Sequence, residues 1–336
     1  MSESAITLTA REPEDLLAMA PVVLGFVPRD SVVMLTFGAR RPFHARVDLP
    51  DRPDELPELV SVLLEPARHH GVRRVVLLVY TADADWAEAV TGALAPAFAA
   101  AGIEVLSRLA ADGRRWWALP RARADDPGWP YDVSAHPFLA KAVLHGLVTL
   151  GSRAELAETL EPDPQEVASV AELVGDLPPL AVERRQGEAR WAAALVRRCT
   201  TDGGRPGAAA LARLLVGMRD LRVRDAAWLT MSRADAAAHV EFWRDVVRRT
   251  PVPLLPAPAS VLGFAAWLSG HGALAWCAVD RSREADPAYR LAELLAEALT
   301  CAVPPSSWDA MVAANAAGDR PDLGPARVRR PPAEGH

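Results

Sequence analysis

The stretch "VLGFVPRDSVVMLTFGARRPFHARVDLP", at residues 23–50, decides how the N-terminal part of the chain folds. Within it, the run "SVVMLTF" (31–37) is apolar almost throughout, which is typical of a central strand that is buried on both faces. "FHARVDL" (43–49) alternates apolar and polar residues, which indicates a strand with one buried face. Gly38 opens a polar turn between them, so we expect the two strands to form a hairpin.

Three charged residues lie at the edges of these strands: Arg29 and Asp30 before the first, and Asp48 at the end of the second. Structural roles suffice for all three, because polar residues hydrogen-bond to the local backbone in turns and an aspartate before a helix can cap it. Asp30 precedes its strand, whereas Asp48 ends its own. We therefore expect Asp30 to lie at the opposite end of the sheet from Asp48.

The alternation of strands and helices continues to about residue 120. Apolar residues at helical spacing predict a helix within 50–71, "VRRVVLLVYT" (72–81) is the most strand-like run in the chain, and a second helix follows over 85–101. "IEVLSRLA" and "RRWWAL" then predict another hairpin. This order predicts an α/β N-terminal domain, residues 1–120, with a mixed sheet and flanking helices.

Beyond residue 120 the pattern changes. A loop rich in proline and charge predicts a linker at 121–133, and residues 134–312 contain helical patterns without a convincing strand. We therefore expect an all-α, helical-hairpin C-terminal domain. Residues 313–336 lack a core-forming pattern, which predicts a disordered tail.

One segment of the helical part resembles a tetratricopeptide-type hairpin. Gly263, Gly270 and Ala275 recur at spacings that allow two helices to pack closely. The surrounding residues 251–279 contain no Asp, Glu, Lys or Arg, which is also a feature of membrane spans. The prolines at the start of this segment and the turn at Gly270 favour two short buried helices, so we expect no membrane span.

Charge and cysteine content argue against several classes of function. Lys and Arg number 37 against 43 Asp and Glu, giving a net charge of −6, so we expect binding neither to nucleic acid nor to an anionic membrane. The three cysteines are far apart, which argues against a disulfide framework or a zinc site and fits a reducing compartment. Without a secretory signal pattern at the N-terminus, we expect a cytoplasmic protein, and no motif calls for a cofactor or a metal.

The candidates for chemistry are Asp48, Asp83 and Asp85. No phosphate-binding loop, metalloprotease motif or nucleophile elbow occurs in the sequence. Asp48 ends one predicted strand, Asp83 and Asp85 follow another, and ligands of open α/β sheets bind beyond the carboxyl ends of strands. Paired carboxylates there could hold Mg²⁺ or act as general acid and base. The alternative is that Asp83 and Asp85 cap a helix and that Asp48 caps the helix that follows it.

Several segments together resemble a bacterial family known as domain of unknown function 4192. They include "DLLAMAPVVLGFVPRDSVVML", "PYDVSAHP" and "GALAWCAVDRSREADPAYRLAELL". The resemblance covers most of the chain up to about residue 308 and implies no known activity, cofactor or substrate. Many members of that family carry a cysteine- and proline-rich segment after the strand equivalent to "RRWWAL". The corresponding residues here contain no cysteine, so the resemblance implies no metal or thiol role for them.

Two hypotheses for function remain. The first is a non-enzymatic module that binds an unknown protein partner or associates with its own copy, and it rests on the missing catalytic motifs and on the helical-hairpin half. The second is a metal-dependent hydrolase or phosphotransfer enzyme that uses the acidic rim formed by Asp48, Asp83 and Asp85. A pocket that gathers these carboxylates would favour the enzyme, and an open apolar groove would favour the binding module.

Overall fold

The computed structural model describes residues 8–38, 43–145, 149–229 and 231–316. Of the predicted disordered tail, residues 317–336 lie outside the described residues, while 313–316 complete the last helix. Within the described ranges, the N-terminal part contains a sheet with flanking helices and the C-terminal part is helical. The coarse prediction of an α/β part followed by a helical part is therefore confirmed.

The sheet has six strands in the order β2-β1-β3-β4-β5-β6. Strand β1 is antiparallel to both of its neighbours, and β3 is parallel to β4, which confirms the prediction of a mixed sheet. The hairpins predicted from the sequence are β1–β2 and β4–β5. The strands are β1 (Ser31–Phe37), β2 (His44–Asp48), β3 (Arg74–Tyr80), β4 (Glu104–Ala111), β5 (Arg115–Ala118) and β6 (Trp129–Pro130).

Helices cover both faces of the sheet. Helix α1 (Pro13–Leu24) packs on one face through residues such as Leu17, whereas α2 (Leu56–His69) and α3 (Ala84–Ala100) pack on the other through residues such as Leu63. Because both faces are buried, β1 and β3 consist mainly of apolar residues rather than an alternation.

The segment expected to be a linker at 121–133 is partly packed against the sheet. It contributes β6, and its residues Tyr131 and Val133 pack against the core beneath α1.

The C-terminal part consists of helices joined by short connections. Apart from the first helix, Pro137–Leu144, which packs on α1 through residues such as Phe138, their apolar faces form one continuous core that includes Trp243. The helices are α4 (Pro137–Leu144), α5 (Arg153–Glu158), α6 (Pro164–Gly175), α7 (Arg185–Asp202), α8 (Ala208–Gly217), α9 (Leu221–Trp228), α10 (Ala236–Arg248), α11 (Pro256–Leu268), α12 (Gly272–Ala285), α13 (Arg290–Thr300) and α14 (Ser306–Ala316).

The uncharged segment folds as two helices, α11 and α12, that turn at Gly270. Gly270 has a φ of 83°, a left-handed conformation that favours glycine. Every residue of α11 is buried, which explains the absence of charge without a membrane. In the described part of the chain, no helix combines the length and the apolar character required to cross a bilayer.

Contacts of Phe26 and His70 help to join the α/β part to the helical part, in addition to the 3.1 Å contact between Nε2 of His136, before α4, and Oδ1 of Asp15 in α1. Phe26, which follows α1, is 1% exposed and belongs to the core of the helical part. On either side of it, the backbones of Gly25 and Val27 exchange 2.9 Å hydrogen bonds with Leu150. At the end of α2, Nε2 of His70 lies 3.0 Å from the carbonyl oxygen of Cys301. These contacts hold the two parts on either side of a cleft.

Candidate functional site

Asp30 and Asp48 lie at the same end of the β1–β2 hairpin, so the expectation that they lie at opposite ends of the sheet is wrong. Ser31, the first residue of β1, pairs with Asp48 on one side and with Tyr80 on the other. The amide of Leu49 also donates a 2.9 Å hydrogen bond to the carbonyl of Asp30. In an antiparallel hairpin the first residue of one strand faces the last residue of the other, which is the reason for this arrangement.

Asp83 and Asp85 have separate structural contacts near the start of α3. Asp83 is the N-cap, and its carboxylate accepts a 2.9 Å hydrogen bond from the amide of Trp86. Asp85 lies within the helix and forms an ion pair with Arg121, which also contacts Glu88 at 3.1 Å. The interpretation of Asp83 as a cap is therefore confirmed, whereas Asp85 pairs with an arginine rather than capping the helix.

Asp48 forms an ion pair with Arg46 and does not cap a helix. The distance between the Asp48 and Arg46 side chains is 2.5 Å, and the Asp48 side chain is 82% exposed. The next helix, α2, begins only at Leu56, after a 3-10 turn, so the expected capping role is wrong. In the ranges that the structure describes, no group of three or more His, Cys, Asp or Glu residues is arranged to hold a metal ion.

Asp48 does line a cleft between the edge strand β2 and the helical part. The cleft has a volume of about 590 Å³, and Asp83 and Asp85 are not among its lining residues. Clefts at the junction of two parts of a protein are common ligand sites. The α/β part contributes β2 together with residues of α1 and α2, and the helical part contributes residues such as Arg153, Trp267, Trp276 and Asp280.

The charged groups of the cleft form two ion pairs. Beside the Arg46–Asp48 pair, Nη2 of Arg153 lies 2.8 Å from Oδ2 of Asp280. Nε of Arg46 is buried and has no hydrogen-bond partner in the described structure. Burial lowers the pKa of His44 to about 4, so its imidazole is neutral at pH 7. The cleft therefore contains balanced charges but spare hydrogen-bond donors on its arginines.

Alternate residues of β2 direct unpaired backbone groups into the cleft. The hydrogen bond from the amide of Leu49 to the carbonyl of Asp30 determines which residues of β2 bond to β1, because bonded and non-bonded residues alternate along an antiparallel strand. The N–H and C=O groups of His44, Arg46 and Asp48 consequently point away from β1. Within the described residues, no other backbone group bonds to them.

The side chains of β2 face both sides of the sheet. His44 and Arg46 lie opposite Leu35 and Val33, which belong to the core beneath α1. Phe43, Ala45 and Val47 lie on the other face and pack against the core beneath α2. The cleft therefore has His44 and Arg46 beside the apolar Val23 and Leu24 on its side near α1, and an apolar side near α2.

A family model matches residues 13–306, which is most of the chain. The chain belongs to the family "Domain of unknown function (DUF4192)". The resemblance inferred from the sequence is thereby confirmed. Neither a curated protein nor a solved structure shows detectable similarity to this DUF4192 chain.

Sequence reasoning identified one residue of the DUF4192 cleft, Asp48, and missed the others. The alternation in "FHARVDL" contains the signal that His44, Arg46 and Asp48 share one face of a strand. Arg153 and Asp280 carry no comparable signal, because only tertiary packing brings them to β2. A cleft at the junction of two parts cannot be read from the pattern of either part.

Proposed function

We propose that the protein is a non-enzymatic binding module that holds a partner protein in the cleft beside β2. The observation that carries this proposal is the position of the cleft, where a sheet edge with unpaired backbone groups faces the helical part. Its walls combine aromatic residues such as Trp267 and Trp276 with a few polar groups, a composition that suits specific binding.

The helical wall of the cleft supports the same proposal. The wall is built by the hairpin of α11 and α12, whose close approach involves Gly263 and Ala275. We propose that this hairpin and α13 act as a tetratricopeptide-like unit, since stacked helical hairpins present extended binding surfaces. The three cysteines, Cys199, Cys277 and Cys301, are free, which fits action in a reducing compartment such as the cytoplasm.

The enzyme hypothesis has weaker geometric support. Asp48 is paired with Arg46, Asp83 caps α3 and Asp85 is paired with Arg121. A metal ion at any of these carboxylates would have to displace these contacts.

Photo-crosslinking from the wall of the cleft tests the proposed function. Val62 on α2 lines the cleft and is 39% exposed, whereas its exposed neighbour Ser61 does not line it. A photoreactive residue at Val62 in the full chain should crosslink to a partner protein in native cells, and the same residue at Ser61 should not. Crosslinks of equal yield from both positions, or from neither, would contradict the proposal.

A further inference from the structure

We infer that the partner is bound through an extended segment that pairs with β2 as an additional strand, with side chains alternating between apolar and acidic residues. This inference rests on the proposed function, because it specifies what the cleft binds. In this mode of binding, hydrogen bonds to the backbone of β2 provide affinity, and contacts with the two sides of the cleft provide specificity.

The backbone of β2 is suited to strand addition. His44, Arg46 and Asp48 each present an N–H and a C=O to the cleft, at the spacing that a neighbouring strand requires. A ligand without a peptide backbone would leave most of these groups without partners. Their row along one strand therefore points to an extended polypeptide rather than to a compact small molecule.

The opposite edge of the sheet differs from β2. Strand β6 contains only Trp129 and Pro130, and proline has no N–H to offer. Short strands and prolines protect sheet edges from unwanted pairing. Strand β2 has neither device within His44–Asp48, and the walls of the cleft restrict access to it. This is the arrangement expected for an edge that admits one selected segment.

The side of the cleft near α2 selects apolar side chains. Phe43 and Val47 of β2 face this side, and Val62 and Pro66 of α2 also line the cleft. A strand added beside β2 would direct every second side chain toward these residues. Burying apolar side chains there removes apolar surface from water on both partners.

The side near α1 selects acidic side chains. Arg46 contacts Asp48 through Nη1 and donates from Nη2 to the carbonyl of Arg29 at 3.4 Å, and Arg153 contacts Asp280 through Nη2. A guanidinium has five N–H donors, so both arginines retain donors for a further acceptor. Carboxylates form the strongest hydrogen bonds with such donors. The alternate side chains of the bound segment should therefore be Asp or Glu.

Selection from a phage-displayed library of random peptides on the full chain tests this inference. Enriched peptides should alternate apolar and acidic residues, and their binding should slow amide hydrogen exchange at His44, Arg46 and Asp48. A His44→Pro variant should weaken binding about tenfold or more relative to His44→Ala. Both variants lose the imidazole, but only proline removes the N–H that faces the cleft.

The outcomes separate this inference from the proposed function. Peptides that bind without slowing exchange at these amides, or that lack the alternation, would overturn strand addition. A Val62 crosslink to a partner without any selected peptide would overturn it as well, and in each case the proposed function would stand. If exchange at the same amides slows as the protein concentration rises, without any peptide, a second copy of the chain pairs with β2. That result would overturn the inference that a partner's segment binds there. Failure of both selection and crosslinking would overturn both claims.

Discussion

Gly263 of α11 lies against the backbone of α12 at Ala275. A Cβ added to Gly263 would be 3.2 Å from the carbonyl oxygen of Ala275 and 2.8 Å from Cδ2 of Leu295. We predict that Gly263→Ala destabilises the protein by about 1–3 kcal/mol, because the neighbouring helices must move apart. Chemical denaturation of the full chain measures this change in the free energy of unfolding.

Gly92 provides the matched control for this prediction. It lies in α3, and a Cβ added there would meet no atom within 4 Å. Gly92→Ala should therefore stabilise the protein by about 0.5–1 kcal/mol, since alanine is the better helix former. Equal effects of the two substitutions would show that the close approach of α11 and α12 is not required.

Phe26 should be essential for joining the two parts of the protein. Its side chain is buried in the core of the helical part, although it follows a helix of the α/β part. We predict that Phe26→Ala costs about 3–5 kcal/mol, and that Phe26→Leu costs less because it leaves a smaller cavity. A loss below about 1 kcal/mol for Phe26→Ala in thermal or chemical unfolding would contradict the described junction.

His44 should make the stability of the protein depend on pH. Burial lowers its pKa from 6.5 to about 4 in the folded protein, so the unfolded chain binds the proton more readily. The contribution of neutral His44 is complete above pH 6.5 and is lost as the pH falls toward 4. The amide of Thr36 also donates to Nδ1 of His44 at 3.3 Å, and protonation of Nδ1 would break this bond.

The comparison of wild type with His44→Gln isolates this effect from other titrating groups. As the pH falls from 6.5 to 4, the free energy of unfolding of the wild type should decrease relative to that of His44→Gln. The decrease should be at most about 1.4 kcal/mol per pH unit. Unfolding free energies measured across this range provide the test. A difference that stays constant with pH would show that His44 titrates normally in the folded state.

Magnesium should leave the melting temperature of the protein unchanged. Asp48 is exposed and paired with Arg46, so Asp48→Asn should change stability by no more than about 1 kcal/mol. A magnesium-dependent rise in melting temperature that disappears in Asp48→Asn would favour the enzyme hypothesis instead.

Asp83→Ala should lower the free energy of unfolding by about 0.5–2 kcal/mol through loss of the cap, and Asp83→Asn should lower it much less.

The sequence predicted the structure best where a single strand, helix or turn depends only on residues close to one another in the chain. The apolar run in β1, the alternation in β2 and the turn at Gly270 were all predicted, because each depends on local spacing. The position of Asp30 was mispredicted. The predicted hairpin already required β1 and β2 to be antiparallel, which places the start of β1 and the end of β2 at the same end of the sheet.

Features that depend on packing between distant segments could not be predicted. Phe26 enters a core formed by helices far along the chain, and Arg153 lines the cleft three residues after Leu150, whose backbone pairs beside Phe26. The partner of Asp85 is Arg121, from the segment predicted to be a linker loop. None of these pairs leaves a periodic signal in the sequence.

The most direct test of the account is the binding of selected peptides to a variant with a filled cleft. Val62→Trp places an indole in the cleft from an exposed position of α2, and Ser61→Trp places the same group one residue away, outside the cleft. With melting temperatures matched, fluorescence anisotropy should show that Val62→Trp weakens binding about tenfold or more, while Ser61→Trp binds as the wild type does. Unchanged affinity of Val62→Trp would contradict the claim that the cleft beside β2 is the binding site.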